Sequence, residues 1–165
     1  MRIDGEKVYL REIREEDLEM VRCWRNDPEV NKFFFNRSYI TQEKQREWFQ
    51  KLIQSGTKIF FIICDKVDGR PIGTIQWEIL GNDKRCAEIG IYIGEKDAGG
   101  KGYGSDAMRA VIGYLLSDGE METVRVTALE SNQRALEFYK RLGFMEISSG
   151  EKHGERVRFM EIRRQ

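Results

Sequence analysis

The sequence predicts a single α/β domain on a mixed sheet, in the order β-α-α-β-β-β-α-β-α-β-β over residues 1–165. Three observations carry that expectation. Apolar residues change period along the chain, from strand-like alternation to the i, i+3, i+4 spacing of amphipathic helices. The runs "KIFFIICD", "RPIGTIQWEIL" and "CAEIGIYIG" are joined by the short polar turns "KVDG" and "GNDKR", as antiparallel neighbours are. The second half instead alternates helix and strand patterns, which calls for crossovers.

Taken in order, "KVYLREI" alternates Val8, Leu10 and Ile13 with polar residues and reads as the first strand. "REEDLEMVRCWRND" has acids in its first turn and Leu18, Val21 and Trp24 near helical spacing, and Asp27-Pro28 stops it. Thr41 is placed to cap "QEKQREWFQKLIQSG", where Trp48, Phe49, Leu52 and Ile53 share a face and Gly56 marks the end. The strand-like runs follow. Beyond them Ala107, Met108, Val111, Ile112, Leu115 and Leu116 form one stripe of a long helix. "TVRVTAL" is a further strand, and "SNQRALEFYKRL" a further helix with Ala135, Phe138, Tyr139 and Leu142 on one face. "GFMEIS" and "RVRFMEI" close the chain as two strands around a polar turn, which also holds His153.

A chain of 165 residues can bury close to ~70% of its unfolded surface without staples. Its 28 basic and 28 acidic side chains cancel, so charge gives no general reason to expect nucleic acid or an anionic membrane as partner. Cys23, Cys64 and Cys86 have no metal-ligand spacing, so no metal is expected. Cys64 and Cys86 lie in strand-like runs and read as buried, reduced thiols. The N-terminal stretch has no apolar signal-like core, and no apolar run approaches a membrane span. The expectation is a soluble protein of the cytoplasm.

The run "AGGKGYGSDA" concentrates Gly99, Gly100, Gly102 and Gly104 just before a helical pattern. Glycines there can serve a turn that needs positive φ. They also leave unencumbered N–H groups at a helix N-terminus, an anion site suited above all to phosphate, with Lys101 as an added charge. Two nucleotide-binding patterns bear on this run. The P-loop pattern fails, because Gly94 and Gly99 have its spacing but Gly100 stands where its lysine must be. Gly102, Gly104 and Ala107 fit the dinucleotide pattern G-x-G-x-x-A, with Glu130 as a ribose-binding acid. Against it, the glycines lie well past the strand tip and antiparallel hairpins precede them.

With "SNQRALEFYKRLGF" the chain resembles the GNAT superfamily of acyl-CoA-dependent N-acyltransferases, over nearly its whole length. Gly102 and Gly104 occupy the glycine positions of that family's pattern (Gln/Arg)-x-x-Gly-x-(Gly/Ala), while Gly99 replaces the usual Gln or Arg. Asn132, Ala135, Tyr139, Gly143 and Phe144 match its second pattern, Asn-x-x-Ala…Tyr-x-x-x-Gly-Phe. The "WRND" segment resembles the branch with ribosomal-protein N-terminal, polyamine and nucleotide-amino-sugar acetyltransferases.

The resemblance implies acetyl-CoA as cosubstrate and direct acetyl transfer to a primary amine. Its pyrophosphate would meet the backbone from Gly100 through Lys101, Gly102, Tyr103 and Gly104 to Ser105, whose hydroxyl is a further donor. Its pantetheine arm would lie along "AEIGIYIG", bonding the backbone around Ile91, Tyr92 and Ile93, with Asn132 near the coenzyme. Alternation sets Glu88, Gly90 and Tyr92 on one face of that strand, and Ala87, Ile89, Ile91 and Ile93 on the other. Glu88 is the candidate to take the amine proton, against a reading as a solvated strand carboxylate. Tyr139 is the candidate acid for the leaving thiolate, against a reading as a core tyrosine. The segment "CWRNDPEVNKFFFNRSYITQ" corresponds to the acceptor wall, with Trp24, Arg25 and Phe34 as contacts beside Glu88. The acceptor is a peptide N-terminus, a polyamine or an amino sugar, and a homodimer is left open. The alternative is a domain that binds or senses acyl-CoA without turnover.

Overall fold

A computed structural model describes residues 1–165. The strands are β1 (Arg2–Asp4), β2 (Val8–Glu12), β3 (Lys58–Asp65), β4 (Pro71–Leu80), β5 (Cys86–Ile93), β6 (Thr123–Leu129), β7 (Met145–Lys152) and β8 (Glu155–Arg163). The helices are α1 (Leu18–Asn26), α2 (Pro28–Asn31), α3 (Gln42–Ser55), α4 (Tyr103–Ser117) and α5 (Gln133–Arg141). All eight strands share one sheet, in the order β1-β2-β3-β4-β5-β6-β8-β7. Neighbours from β1 to β5 are antiparallel, β5 and β6 are parallel, and β8 pairs antiparallel with both β6 and β7. No helix is long and apolar enough to cross a membrane.

The mixed α/β expectation holds, with two added elements and one revised connection. Strand β1 has only Ile3 buried, so its three residues carry no pattern without their partner β2. Asp27 does end α1, but its side chain also accepts from Glu29 N at 2.9 Å with Pro28 at the first helical position. A short helix therefore restarts where the dipeptide reads as a stop. The helix α5 does not lead to an adjacent parallel strand, because β8 enters the sheet between β6 and β7.

The sheet buries two cores. On one face α4 and α5 cover Val8, Leu10, Phe61, Ile75, Ala87, Ile89, Val124 and Val126. On the other, Val21 and Trp24 of α1 pack with Phe60, Ile62 and Cys64 of β3, flanked by Trp48 and Leu52 of α3. The inward stripe of α3 is thus Gln45, Trp48 and Leu52, while Ile53 is exposed. Gln45 joins it because its Nε2 donates to Leu18 O at 3.3 Å, tying α3 to α1.

One buried carboxylate fixes the start of α4. Asp106 accepts from the amides of Glu6 (3.0 Å), Lys7 (2.7 Å) and Val8 (3.0 Å), so it clamps the β1–β2 turn onto the first turn of the helix. A Cβ on Gly5 would lie 2.4 Å from Asp106 Oδ2, which makes glycine necessary there. Burial opposes the charged carboxylate, but the three N–H donors and nearby Arg109 prevail and hold its pKa below the usual range. Asp106→Asn removes the charge and turns an NH2 group towards amides. The expected cost is about 1–3 kcal/mol in urea denaturation. Because the folded pKa is lowered, this stabilisation is full above the unfolded value of ~3.9 and is lost as pH falls below it. The variant should therefore be less acid-sensitive in that window. Equal stability and equal acid sensitivity would show that the clamp contributes nothing.

Candidate cofactor and acceptor site

The site begins with a defect in the sheet. Strands β5 and β6 pair only at Cys86↔Thr123, Ala87↔Val124 and Glu88↔Arg125, and then part. On the β6 side, the edge of β5 from Gly90 onward has no strand beside it, although it lies in the middle of the sheet. The opening is a cleft of ≈ 830 Å³. Ile91, Tyr92 and Ile93 line one wall, and Asn132, Ala135, Phe138 and Tyr139 the other.

The glycine run forms the mouth of the cleft. Gly100 (φ 73°) and Gly102 (φ 79°) adopt left-handed backbone, and Gly102 is the N-cap of α4. The first intrahelical acceptor is Gly102 O, used by Asp106 N at 3.1 Å. The amides of Tyr103, Gly104 and Ser105 have no protein acceptor and sit at the positive end of α4. Gly99, Gly100, Gly102, Tyr103, Gly104 and Ser105 all line the cleft, whereas Lys101 does not. Lys7 comes close to the loop instead. Its Nζ donates to Lys101 O at 3.1 Å and stands 3.1 Å from where a Cβ of Gly102 would be. The Tyr103 hydroxyl donates to Asp65 Oδ2 at 2.7 Å, which anchors the start of α4 to the end of β3.

Behind the mouth, α5 presents Arg134, Phe138 and Arg141 to the same cleft. Their i, i+4, i+7 spacing is legible in "RALEFYKR", although an apolar-stripe search passes over the two arginines. The Asn132 side chain accepts from Ala135 N at 3.2 Å, so it caps α5 and also lines the cleft. Tyr139 is 7% exposed, packed among core residues that include Phe144 (ring centroids 5.7 Å apart), and no protein group bonds its hydroxyl. Burial pushes its pKa up to about 12. The two readings of Tyr139 are therefore compatible in space: a core ring with an unbonded O–H at the cleft.

Glu88 is on the opposite face, with Gly90 and Tyr92, and does not line this cleft. Its Oε1 accepts from Thr127 Oγ1 at 2.6 Å and lies 3.9 Å from Lys152 Nζ. The loop after α2 reaches over this face. Its three phenylalanines diverge: Phe33 lines the cleft, the Phe34 ring lies 5.1 Å from that of Tyr92, and Phe35 has Lys152 Nζ 5.1 Å from its centre. Arg37 then bonds Glu155 at 2.7 Å, tying the loop to the β7–β8 turn. The Tyr92 hydroxyl is buried without a partner, and burial pushes its pKa up to about 12.

Trp24 does not line this cleft and instead borders a second hollow with Gly94, Glu95 and Lys96. It is buried beside Gly94, where a Cβ would come within 2.2 Å of the indole, and its Nε1 donates to Glu95 Oε1 at 2.9 Å. It props the strand-to-loop junction rather than lining the cleft. Arg25, at the end of α1, is near enough for its charge to act on both Lys58 and Tyr92.

A family model described as "Acetyltransferase (GNAT) domain" matches residues 7–145. Acetyltransferase PseH of Campylobacter jejuni is 28% identical over 133 residues, covering 81% of this chain and 80% of that protein. Uncharacterized protein MJ1062 of Methanocaldococcus jannaschii is 29% identical over 151 residues, covering 89% of this chain but only 30% of that longer protein. The crystal structure of spermidine N-acetyltransferase from Vibrio cholerae, in complex with CoA and spermine, superposes with a TM-score of 0.84 at 20% identity, over 96% of each chain. That likeness concerns the fold. The matched domain spans both walls of the cleft, and the chain belongs to the GNAT acetyltransferase family.

Proposed function

We propose that this protein is an acetyl-CoA-dependent N-acetyltransferase that moves acetyl directly to a primary amine of a small molecule or peptide. One observation carries the reading: the unpaired edge of β5 and the free amides of α4 open into a single cleft. A pantetheine arm is a chain of secondary amides, so it can pair with a free strand edge as another strand would. A pyrophosphate suits the N-terminus of α4, and Lys7 offers there the charge that Gly99 lacks. When bound, acetyl-CoA supplies an activated thioester. The Vibrio cholerae complex, with CoA and an amine, supports the same pairing of ligands.

This chain then has two protons to manage. An amine of pKa ~10.4 is about 3.4 units above neutrality, which costs roughly 4.6 kcal/mol to deprotonate. Glu88, on the Gly90 side of β5, accepts that proton directly or through water. Tyr139 remains protonated through the working pH range, because burial has raised its pKa, and its O–H donates to the departing sulfur. No cysteine lines the cleft, which disfavours a covalent cysteine intermediate. Three free cysteines also support a reducing, cytoplasmic setting.

Calorimetry with acetyl-CoA, CoA and NAD, followed by thiol release on a panel of amines, tests the reading. Binding of acetyl-CoA with turnover supports it, binding without turnover on any amine favours a sensor, and preference for NAD rejects it. Within the cleft, a Cβ on Gly104 would meet the Phe138 ring at an ordinary 3.7 Å, so Gly104→Ala should fold. It should nevertheless weaken CoA binding about tenfold or more by holding a phosphate off the amides. Unchanged affinity would remove the phosphate from this helix end.

Tyr139→Phe keeps the packed ring and removes only the hydroxyl. The proposed acid role predicts a fall in kcat of ~10²–10⁴ with stability within about 1 kcal/mol of wild type. Glu88→Gln should lose most activity at low pH, where free amine is scarcest. A folded Tyr139→Phe with near-normal kcat would reject the acid, and an unaltered pH–rate profile for Glu88→Gln would reject the base.

A further inference from the structure

The face of the sheet opposite α4 and α5 carries cations that the steps above do not use. Across it, Lys58 of β3 stands beside Glu78 of β4, and Glu78 beside Glu88 of β5. Arg125 of β6 continues the row but is satisfied, since it forks onto Glu161 at 3.1 and 2.7 Å. Lys58 and Arg25 have no such partner: both are half-buried, and neither joins an ion pair or a side-chain hydrogen bond. Burial, then the nearby charge of Arg25, lower the pKa of Lys58 against the opposing pull of Glu78 and Glu88. From the other side Lys152 approaches Glu88 to 3.9 Å. Phe34 and Phe35 lie over the same area.

Half-buried cations that make no ion pair are costly unless something else supplies negative charge. The carboxylates that act on Lys58 are Glu78, which lies opposite it in the sheet but is exposed, and Glu88, which Thr127 and Lys152 already engage. An acceptor bearing only amines would add positive charge to this group. An acceptor with an anionic group would complete it.

We propose that the acceptor is an amine that also carries a phosphate or carboxylate, with Lys58, Arg25 and Lys152 holding the anion while the amino group faces Glu88 and Gly90. This rests on the acetyltransferase reading. Charge attraction at a partly exposed site is screened by salt, so the selectivity should weaken as ionic strength rises.

The test measures kcat/KM by thiol release on matched acceptors. Glucosamine against glucosamine 6-phosphate varies a phosphate, 4-aminobutanol against 4-aminobutanoate varies a carboxylate, and spermidine is the polycationic control. The expected result is a preference of about tenfold or more for an anionic member at low salt. The pair that shows it identifies the anion. Lys58→Gln and Lys152→Gln should each cut that ratio while leaving the KM for acetyl-CoA within about twofold, a shift smaller than RT. Equal or better turnover of the neutral partners or of spermidine, or a ratio unchanged in both variants, would overturn the proposal alone. Turnover of none of these members by protein that acetylates another amine, such as a peptide, would also overturn the proposal alone, whereas binding of acetyl-CoA without turnover on any amine would overturn the acetyltransferase reading with it.

Discussion

Two parallel strands that share three residue pairs and then separate are the constraint from which the rest of this molecule follows. Unpaired amides and carbonyls in the middle of a sheet are unfavourable unless a partner arrives, so the opening must be held apart by structure around it. On one side α5 keeps Tyr139 and Phe138 at the cleft wall. On the other, Gly94 and Glu95 both donate to Ile72 O at 2.9 and 3.1 Å, which binds the end of β5 to β4 instead of to β6. The cleft is a consequence of pairing that stops early.

Around that opening, each support comes from a distant part of the chain. Asp106 brings the β1–β2 turn to α4, and with it the Lys7 ammonium to the glycine loop. Trp24 fills the place that a side chain on Gly94 would need, so α1 sets the angle at which β5 enters the loop. Tyr103 ties the same helix end to Asp65. These contacts give the loop a fixed shape with its amides unspent. On the far face the loop carrying Phe33, Phe34 and Phe35 is fastened by Arg37 to Glu155, with the Phe34 ring against Tyr92.

Much of this was legible in the sequence because local period and turn chemistry agreed. The runs "KIFFIICD" and "TVRVTAL" coincide with β3 and β6, and Thr41 and Gly56 bound α3 as capping residues should. The glycine run and the start of the Asn132–Phe144 pattern fall at the mouth and on one wall of the cleft. Long-range placement was not legible. Nothing local in "RID" marks a strand, nothing in Lys7 announces a neighbour near residue 101, and nothing in the last two strands says that β8 lies inside β7. Trp24 reads equally well as a ligand contact or a core residue until Gly94 is seen beneath it.

Hydrogen exchange with and without acetyl-CoA tests the central claim most directly, since the claim concerns particular backbone amides. Occupation of the parted edge predicts slowed exchange in the Ile91–Ile93 segment of β5 and at Tyr103, Gly104 and Ser105 of α4. Little change is expected in the already paired strands β1 to β3. Acetyl-CoA that binds by calorimetry yet leaves those two segments unprotected, or protects a different surface, would contradict the account.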